Sequence, residues 1–234
     1  MTPAPDYDRV ADEYDARYHS RIDEVEDRLL ASYLRPFCDG ANVLDLGCGT
    51  GLVRRLTRPN IYAGIDSSTG MLDRLTSKHP DAWITQGDLN DPADRFEALG
   101  VLAPMAPFDV IVSVFAAHYF HSVELLSDLL SLLTPGGTVI LHGQFPRYER
   151  RTNYIFHGVC HDHLGFIPAE AEADFRKAGL TGVRAEGWNV VNDKVAAQLS
   201  PSTLERMMRQ SPRLPARWSY HGAVSGTWKP GEVN

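Results

Sequence analysis

Short apolar runs alternate with amphipathic segments along most of the chain. The apolar runs predict buried strands at five places, near residues 43–46, 61–65, 82–86, 108–114 and 137–143. The amphipathic segments predict helices at three places, near residues 51–58, 69–78 and 121–133. Ser67 or Ser68 is suited to cap the second helix, and Pro135-Gly136-Gly137 is suited to end the third. This alternation is typical of a parallel sheet covered by helices on both faces.

Glycines follow the first predicted strand in the sequence VLDLGCGTG. Gly47, Gly49 and Gly51 alternate there, and glycine both adopts positive φ and lets a ligand approach the backbone closely. The second predicted strand ends in Asp66, nineteen positions after Gly47, where a nucleotide-binding βαβ unit carries its ribose-binding acid. The two features indicate one nucleoside site.

Two departures from known phosphate-binding motifs argue against a nucleotide whose phosphates bind at this loop. Leu52 stands where the dinucleotide fingerprint has its third glycine, and no Gly-Lys-Ser or Gly-Lys-Thr follows the loop. VLDLGCGTG followed by GIDSSTGML instead resembles the class I S-adenosylmethionine-dependent methyltransferase family, over roughly Tyr7 to Gly187. The resemblance implies S-adenosylmethionine as cofactor, S-adenosylhomocysteine as product, and a Rossmann-like α/β fold. That fold is a seven-stranded sheet with helices on both faces and an antiparallel last strand.

The resemblance also predicts how the chain is organised. Pro168 to Arg184 reads as a helix, a stop at Gly179 and a strand, and a last strand is expected near Ser219 to Trp228. We expect a single methyltransferase domain over residues 1–234. Its parts would be N-terminal lid helices, a cofactor-binding core and two substrate-side insertions, at 1–36, 37–143, and 144–167 with 189–217.

Cofactor contacts implied by the family motifs begin at the glycine loop. Asp45 would orient the loop or reach the methionine amino group through water, with a capping role as the alternative. Gly47 and Gly49 would approach the methionine moiety by backbone. Asp66 would accept both ribose hydroxyls, and Ser67 follows it as in the family.

Further implied contacts surround the adenine and the opening of the site. Met71 would pack beside adenine, Asp88 would accept its amino group and Leu89 would offer backbone contact, although a turn-forming role is the alternative for Asp88. Tyr14 belongs to a row of tyrosines, Tyr7, Tyr14 and Tyr18, whose spacing puts them on one helical face. The family uses such a helix as a lid, and simple core packing is the alternative.

Candidate catalytic residues follow the fourth strand, whose carboxyl end faces the transferred methyl group in the family. Ser113-Val114-Phe115-Ala116 lacks the acid or amide and two prolines of many base amino-methylating enzymes, and no nearby cysteine provides a covalent route. His118 is the first candidate for a general base. Tyr119 would assist by hydrogen bonding, and His142 is a second candidate base; packing is the alternative for each.

The stretch after the fifth strand departs most from the family. Five possible metal ligands fall within seven positions: His157, Cys160, His161, Asp162 and His163. Their spacing matches no standard structural zinc pattern, so we expect no metal and a histidine-rich rim to a substrate pocket. An arginine run precedes them, with solvation or recognition of an acidic substrate as its two interpretations: Arg147, Arg150 and Arg151.

Composition excludes several partners. A net charge of −7 and a pI near 5.7 argue against a large nucleic-acid footprint, which needs clustered positive charge. Three cysteines form an odd, widely spaced set, which favours a reducing cytoplasm. The first residues are too polar for a signal peptide and no apolar run reaches about 18 residues. We expect a soluble cytoplasmic protein without a membrane partner, whose oligomeric state stays open, a dimer included.

The function these motifs favour is methyl transfer to an oxygen or nitrogen of a small-molecule acceptor, in specialised metabolism, by direct in-line displacement. Two alternatives stay open. One is methylation of RNA or protein, which requires a basic surface beside the methyl site. The other is a non-methylating use of the fold such as a cyclase, because a binding loop shows binding and not turnover.

Overall fold

A mixed sheet of seven strands carries the fold in the computed structural model, which describes residues 6–17, 21–120, 122–144, 151–156, 159–164, 167–188, 198–209 and 221–230. Its strand order is β3-β2-β1-β4-β5-β9-β8. The seven strands are β1 Asn42–Leu46, β2 Ile61–Asp66, β3 Trp83–Gln86, β4 Phe108–Val114, β5 Leu133–Gln144, β8 Leu180–Trp188 and β9 His221–Trp228. A separate antiparallel hairpin pairs β6 Arg151–Phe156 with β7 Val159–Leu164.

Among these seven strands, the antiparallel pairs are those that β9 forms. β1 pairs in parallel with β2 and β4, β2 with β3, and β4 with β5. β9 lies between β5 and β8 and is antiparallel to both. The Rossmann-like sheet with an antiparallel last strand is therefore confirmed. The division of residues 1–234 into lid, core and insertions stays a prediction.

Helices lie on both faces of the sheet. They are α1 Ala11–Tyr14, α2 Arg21–Cys38, α3 Leu52–Leu56, α4 Thr69–Lys78, α5 Pro92–Leu102, α6 Ala117–Phe120, α7 Val123–Leu130, α8 Pro168–Lys177 and α9 Pro201–Arg209. Successive residues of β1 face opposite layers, as in any strand. Val43 packs in the layer that contains Leu34 of α2 and Leu75 of α4. Leu44 packs in the opposite layer, which contains Phe175 of α8.

Local signals set the helix ends near the site. Ser68 begins α4, because its side chain accepts a hydrogen bond from the Met71 N–H at 3.2 Å, which confirms one of the two predicted caps. Asp91 caps α5 in the same way and Pro92 follows it at the first helical position. Gly179 ends the α8 turn with φ of 90°.

The structure departs from the pattern-based prediction in several places. The helix predicted over 121–133 ends at Leu130, and β5 begins at Leu133 instead of near 137, because the Phe108 N–H bonds the Leu132 carbonyl and the Thr134 hydroxyl bonds the Phe108 carbonyl. The Pro135-Gly136-Gly137 stop therefore lies inside β5. α5, α9 and the β6–β7 hairpin were not predicted.

The N-terminal tyrosines do not share one continuous helix. Residues 6–17 form two 3-10 turns, Tyr7–Arg9 and Asp15–Arg17, on either side of the short helix α1. Tyr18 lies outside the described residues. None of the helices that the structure describes is long and apolar enough to cross a bilayer.

Candidate cofactor and acceptor site

A cavity of about 410 Å³ opens at the carboxyl ends of the central strands. It lies where the sheet order reverses between β1 and β4, the place at which open α/β sheets bind ligands. Eight of the nine predicted cofactor residues line it, all except Asp45, and Tyr119 lines it as well. Motifs that are distant in sequence therefore meet at one site.

The glycine loop after β1 folds tightly over the end of β2. Gly47, Gly49 and Gly51 have φ of 67°, 51° and 92°, values that a side chain disfavours. The N–H groups of Gly47 and Cys48 both donate to the Ile65 carbonyl, at 2.8 and 3.0 Å. The loop backbone is thus fixed beside Asp66, with two of its glycines on the cavity wall.

Asp66 is held by both neighbouring loops. Its Oδ2 accepts from the Gly49 N–H at 2.8 Å and its Oδ1 from the Ser68 N–H at 2.9 Å. Burial raises the pKa of Asp66, while the hydrogen bonds from Ser68 and Gly49 lower it. A carboxylate has about four acceptor sites, so each oxygen keeps capacity for a hydroxyl donor. This geometry suits the predicted ribose contact.

Asp45 lies behind the cavity and not on its described wall. Its side chain is 1% exposed and accepts from the Tyr62 hydroxyl at 2.7 Å. Burial raises the pKa of Asp45 to about 7, the Tyr62 hydrogen bond opposes the rise and the Asp66 charge adds to it. Asp45 therefore links β1 to β2 beneath the glycine loop, and its predicted contact with the methionine amino group stays a prediction.

The expected adenine residues form one side of the cavity. Met71 and Leu89 line it with side chains otherwise almost entirely buried. Asp88 also lines it, and its Oδ1 accepts from both the N–H and the side-chain amide of Asn90, at 2.9 and 3.1 Å. Asp88 thus forms the turn and also lines the cavity. These two roles are compatible because both turn hydrogen bonds use only one of its two carboxylate oxygens, Oδ1.

Three tyrosines form another part of the wall, and two of them, Tyr7 and Tyr14, pack against the cluster that contains Met71. The hydroxyls of Tyr7 and Tyr119 lie 3.1 Å apart, although 112 positions separate the two residues. Tyr7 packs edge-on against Tyr14 and Tyr119, with ring centroids 6.1 and 6.4 Å apart. These contacts join the N-terminal segment to α6 at the cavity wall.

Phe115 completes this part of the wall from the end of β4. It has φ of 60°, a left-handed conformation that is rare for a bulky residue and concentrates at functional sites. Its N–H donates to the His142 carbonyl at 3.1 Å, and its ring stands edge-on to the His142 ring at 4.6 Å. His142 is buried, and it supports Phe115 from behind the part of the wall that the structure describes.

Other predicted site residues have no described side chain. His118 lies in α6, directly before Tyr119, and its role as a base stays a prediction. His157, Arg147 and Arg150 lie outside the described residues. Arg151 is in β6, and Cys160, His161, Asp162 and His163 are in β7, with only their backbone described. Among the side chains that are described, no three His, Cys, Asp or Glu are grouped to hold a metal.

Sequence reasoning missed Phe115 and Asn90 as wall residues. The left-handed backbone of a phenylalanine has no sequence signal. Asn90 had one, because an aspartate two positions before it, in GDLND, is typical of a side-chain-to-backbone turn.

Comparison with known proteins agrees with this geometry. The family model described as a methyltransferase domain matches residues 14–185, most of the chain and all of the cavity wall described above except Tyr7. The chain belongs to the class I S-adenosylmethionine-dependent methyltransferases. Methyltransferases of this family use S-adenosylmethionine as methyl donor, the cofactor that the glycine loop predicts.

Relatives of this methyltransferase differ in their acceptors. It is 34% identical over 118 residues to trans-aconitate 2-methyltransferase of Azoarcus sp. (strain BH72), with 48% of this chain and 42% of the relative covered. It is 24% identical over 140 residues to a tRNA (carboxymethyluridine(34)-5-O)-methyltransferase of Mus musculus, with 58% and 19% covered. The chain thus spans less than half the length of these relatives.

A solved structure shows the same fold. The SAM-dependent methyltransferase from Thermotoga maritima superposes with a TM-score of 0.64 at 16% identity, covering 95% of this chain and 98% of that one. At this identity the likeness concerns the fold alone.

Proposed function

We propose that this methyltransferase transfers a methyl group from S-adenosylmethionine to an oxygen or nitrogen of a small-molecule acceptor. One observation carries the proposal: a single cavity brings polar nucleoside-binding groups together with an aromatic wall at the end of β4. The polar groups suit the cofactor, and the aromatic wall receives the acceptor beside the sulfonium methyl group.

Each polar or apolar group on the cofactor side of the cavity has a role in this proposal. Asp66 accepts the ribose hydroxyls, since its oxygens face the cavity between two loops. Asp88 accepts the adenine amino group while Met71 packs on the base, and the backbone of Gly47 and Gly49 borders the methionine moiety. Together these groups hold the cofactor by hydrogen bonds to its polar edges and by contact with its faces.

The reaction that fits this arrangement is in-line displacement. A lone pair of the acceptor forms the new bond to the methyl carbon, and the sulfur keeps the electrons of the bond that breaks. Holding nucleophile and methyl carbon about 3–3.5 Å apart in line contributes up to about 7–11 kcal/mol in favourable intramolecular cases. His118 takes the acceptor's proton where the acceptor has one to lose, and Tyr119 orients it by hydrogen bonding.

Charge supports a small acceptor over a nucleic acid. The net charge is −7, which disfavours binding of a phosphate backbone. The trans-aconitate 2-methyltransferase relative is named for a small acceptor. The unbridged, buried Cys38 and Cys48 fit a reducing cytoplasm as the place of action.

RNA is the second candidate, because one relative is named as a tRNA methyltransferase. Both candidates are tested by supplying methyl-labelled S-adenosylmethionine to the purified protein with either a metabolite extract passed through a small-pore filter or total tRNA. We expect label in the filtered extract and S-adenosylhomocysteine released in equal amount. Label in tRNA alone would contradict the small-molecule proposal, and no cofactor turnover with either pool would favour the non-methylating use of the fold.

A further inference from the structure

The N-terminal strap, residues 6–17, lies along one face of α4. Asp8 Oδ1 accepts from the Gly70 N–H at 2.7 Å, Asp12 pairs with Arg74, and Asp15 pairs with Lys78 at 2.6 Å. The α4 partners are four residues apart, the spacing of one helix face. Three aspartates therefore dock the strap along the length of the helix.

Gly70 shows how closely the strap is seated. A Cβ added there would lie 3.0 Å from the Ala11 Cβ and 3.2 Å from Asp8 Oδ1. Strap and helix are therefore in direct contact at this point.

Ser68 connects the first end of the strap to the expected ribose acid. Its hydroxyl donates to Asp8 Oδ1 at 2.7 Å and its backbone N–H donates to Asp66 Oδ1 at 2.9 Å. The same hydroxyl accepts from the Met71 N–H. The hydrogen bonds from Ser68 and Gly70 lower the pKa of Asp8, so Asp8 is charged in this position at neutral pH.

Thr50 connects the other end of the strap to the glycine loop. Its buried hydroxyl donates to Asp15 Oδ1 at 2.5 Å. Thr50 follows Gly49, whose N–H donates to Asp66 Oδ2 at 2.8 Å. The strap thus reaches each of the two loops that hold the Asp66 carboxylate, one through Asp8 and one through Asp15.

Asp12 differs from the two aspartates at the ends. Its side chain is 84% exposed and its ion pair with Arg74 lies on the outer surface of α4. This pair contacts neither loop in the part of the chain that the structure describes. Asp12 therefore serves as a control, because replacing it removes an ion pair that docks the strap but no contact with either loop.

We propose that Asp8 and Asp15 are positioning residues for the cofactor. They fix the Ser68 and Gly49 amides, and these amides orient Asp66, so the strap and the ribose site are coupled through two loops. The proposal rests on the proposed function, since it takes Asp66 to bind the cofactor ribose. If the strap already holds the Asp66 carboxylate in place, the cofactor does not have to order it, so binding loses less conformational entropy. By linkage, the bound cofactor strengthens docking of the strap by the same free energy.

The first experiment compares Asp8→Ala, Asp15→Ala and Asp12→Ala by calorimetry with S-adenosylhomocysteine. We expect about tenfold weaker binding for the two end variants, within the usual range of a coupling free energy, and a change under twofold for Asp12→Ala. Asp8→Asn keeps an acceptor oxygen and should recover most of the loss. Equal losses in all three alanine variants, or none, would overturn the proposal.

A second comparison separates positioning of Asp66 from loss of the tyrosines that the strap carries. The ratio of affinities for adenosine and 2′-deoxyadenosine reports the ribose contact. We expect Asp8→Ala to lower this ratio, and to have no further effect on it in an Asp66→Ala background. An unchanged ratio would mean that the strap acts through Tyr7 and Tyr14 alone, and the proposal would be wrong.

The third measurement needs no cofactor, so it fails independently of the proposed function. Amide hydrogen exchange in the ligand-free protein should quicken at Gly49 in Asp15→Ala and at Ser68 and Gly70 in Asp8→Ala, but at none of these in Asp12→Ala. Thr50→Val should reproduce the Gly49 effect, whereas Lys78→Met, which removes only the ion pair of Asp15, should not. Uniform exchange across all variants would overturn the coupling even in a protein that binds the cofactor normally.

Discussion

Two parts of the cavity wall, the nucleoside side and the aromatic side, are built in different ways. The nucleoside side consists of three short loops after β1, β2 and β3, and backbone amides fix its central carboxylate, Asp66, within 2.9 Å. The aromatic side brings together the N-terminal segment, the end of β4 and α6, and side chains of Tyr7, Phe115 and Tyr119 make its contacts. A site built from backbone amides depends on a local motif and its spacing, whereas a site built from side chains depends on which distant segments pack beside it. The nucleoside side can therefore stay the same while substitutions on the aromatic side change which acceptor is bound.

Catalysis gives the largest expected difference between the two sides. If His118 takes a proton from the acceptor, His118→Ala should lower kcat by about 10² or more and leave cofactor affinity nearly unchanged, because a base acts mainly in the transition state. Steady-state kinetics and calorimetry measure the two quantities. His79→Ala, at the end of α4 and outside the described wall, is the matched control.

A different split would reassign His118. A kcat within a few-fold of wild type with a raised acceptor KM would make it a residue that positions the acceptor. If His142→Ala showed the large loss instead, the base would be on β5. Because the His142 ring packs on Phe115, we expect His142→Ala to change mainly the acceptor KM.

Cofactor affinity gives the next largest effect. Asp66→Ala removes the proposed acceptor of two ribose hydroxyls, so S-adenosylhomocysteine should bind at least about tenfold more weakly, the scale of one lost hydrogen bond to a charged group. Asp73→Ala, on the exposed face of α4, should bind as wild type does. Unchanged affinity in a folded Asp66→Ala protein would remove the ribose assignment, and wild type should show no comparable affinity for NAD.

The aromatic side should respond in acceptor kinetics. Tyr7→Phe and Tyr119→Phe each remove the hydrogen bond between the two hydroxyls. Each variant should therefore lower kcat/KM about fivefold, as expected for one neutral hydrogen bond. The double variant should lose little more than either single one, because the interaction is already absent. Additive losses would show that each hydroxyl acts separately.

The last expected effect concerns stability instead of function and lies beneath the nucleoside side. Burial raises the pKa of Asp45 from 3.8 to about 7, so the folded protein binds a proton there that the unfolded chain has released. The Asp45 contribution is therefore fully present below pH 3.8 and is lost as pH rises through 7. Asp45→Asn stays neutral, so its stability relative to wild type should rise across this window and level off above it. Denaturant unfolding at several pH values measures this; a constant difference would show that folding does not raise the pKa of Asp45.

Local chemistry explains which parts of the fold and site could be predicted from sequence. β1 and β2 lie within a residue of their predicted bounds, because buried parallel strands are continuous apolar runs. Asp66 and the glycines were found because spacing alone links them. α5 was missed since the exposed Phe96 and Val101 blur its periodicity, although Asp91-Pro92 marked its start.

The remaining features depend on contacts between distant segments. No sequence rule brings Tyr7 to Tyr119 or gives Phe115 a positive φ. The row of tyrosines predicted the meeting of Tyr7 and Tyr14 for the wrong reason. The segment is not one helix but the short helix α1 between two 3-10 turns, and the two rings meet across the break.

The position of β9 has a consequence for how the chain is synthesised. Every cavity residue named above has left the ribosome once Tyr119 has emerged, yet β9 (221–228) must still insert between β5 and β8. Until then β5 and β8 both present unpaired edges, which attract other strands. Released chains truncated before residue 221 should therefore pellet more readily than chains that extend past residue 230, and equal solubility would count against this inference. The hazard of producing this protein therefore lies in β9, more than 100 residues along the chain from the cavity residues.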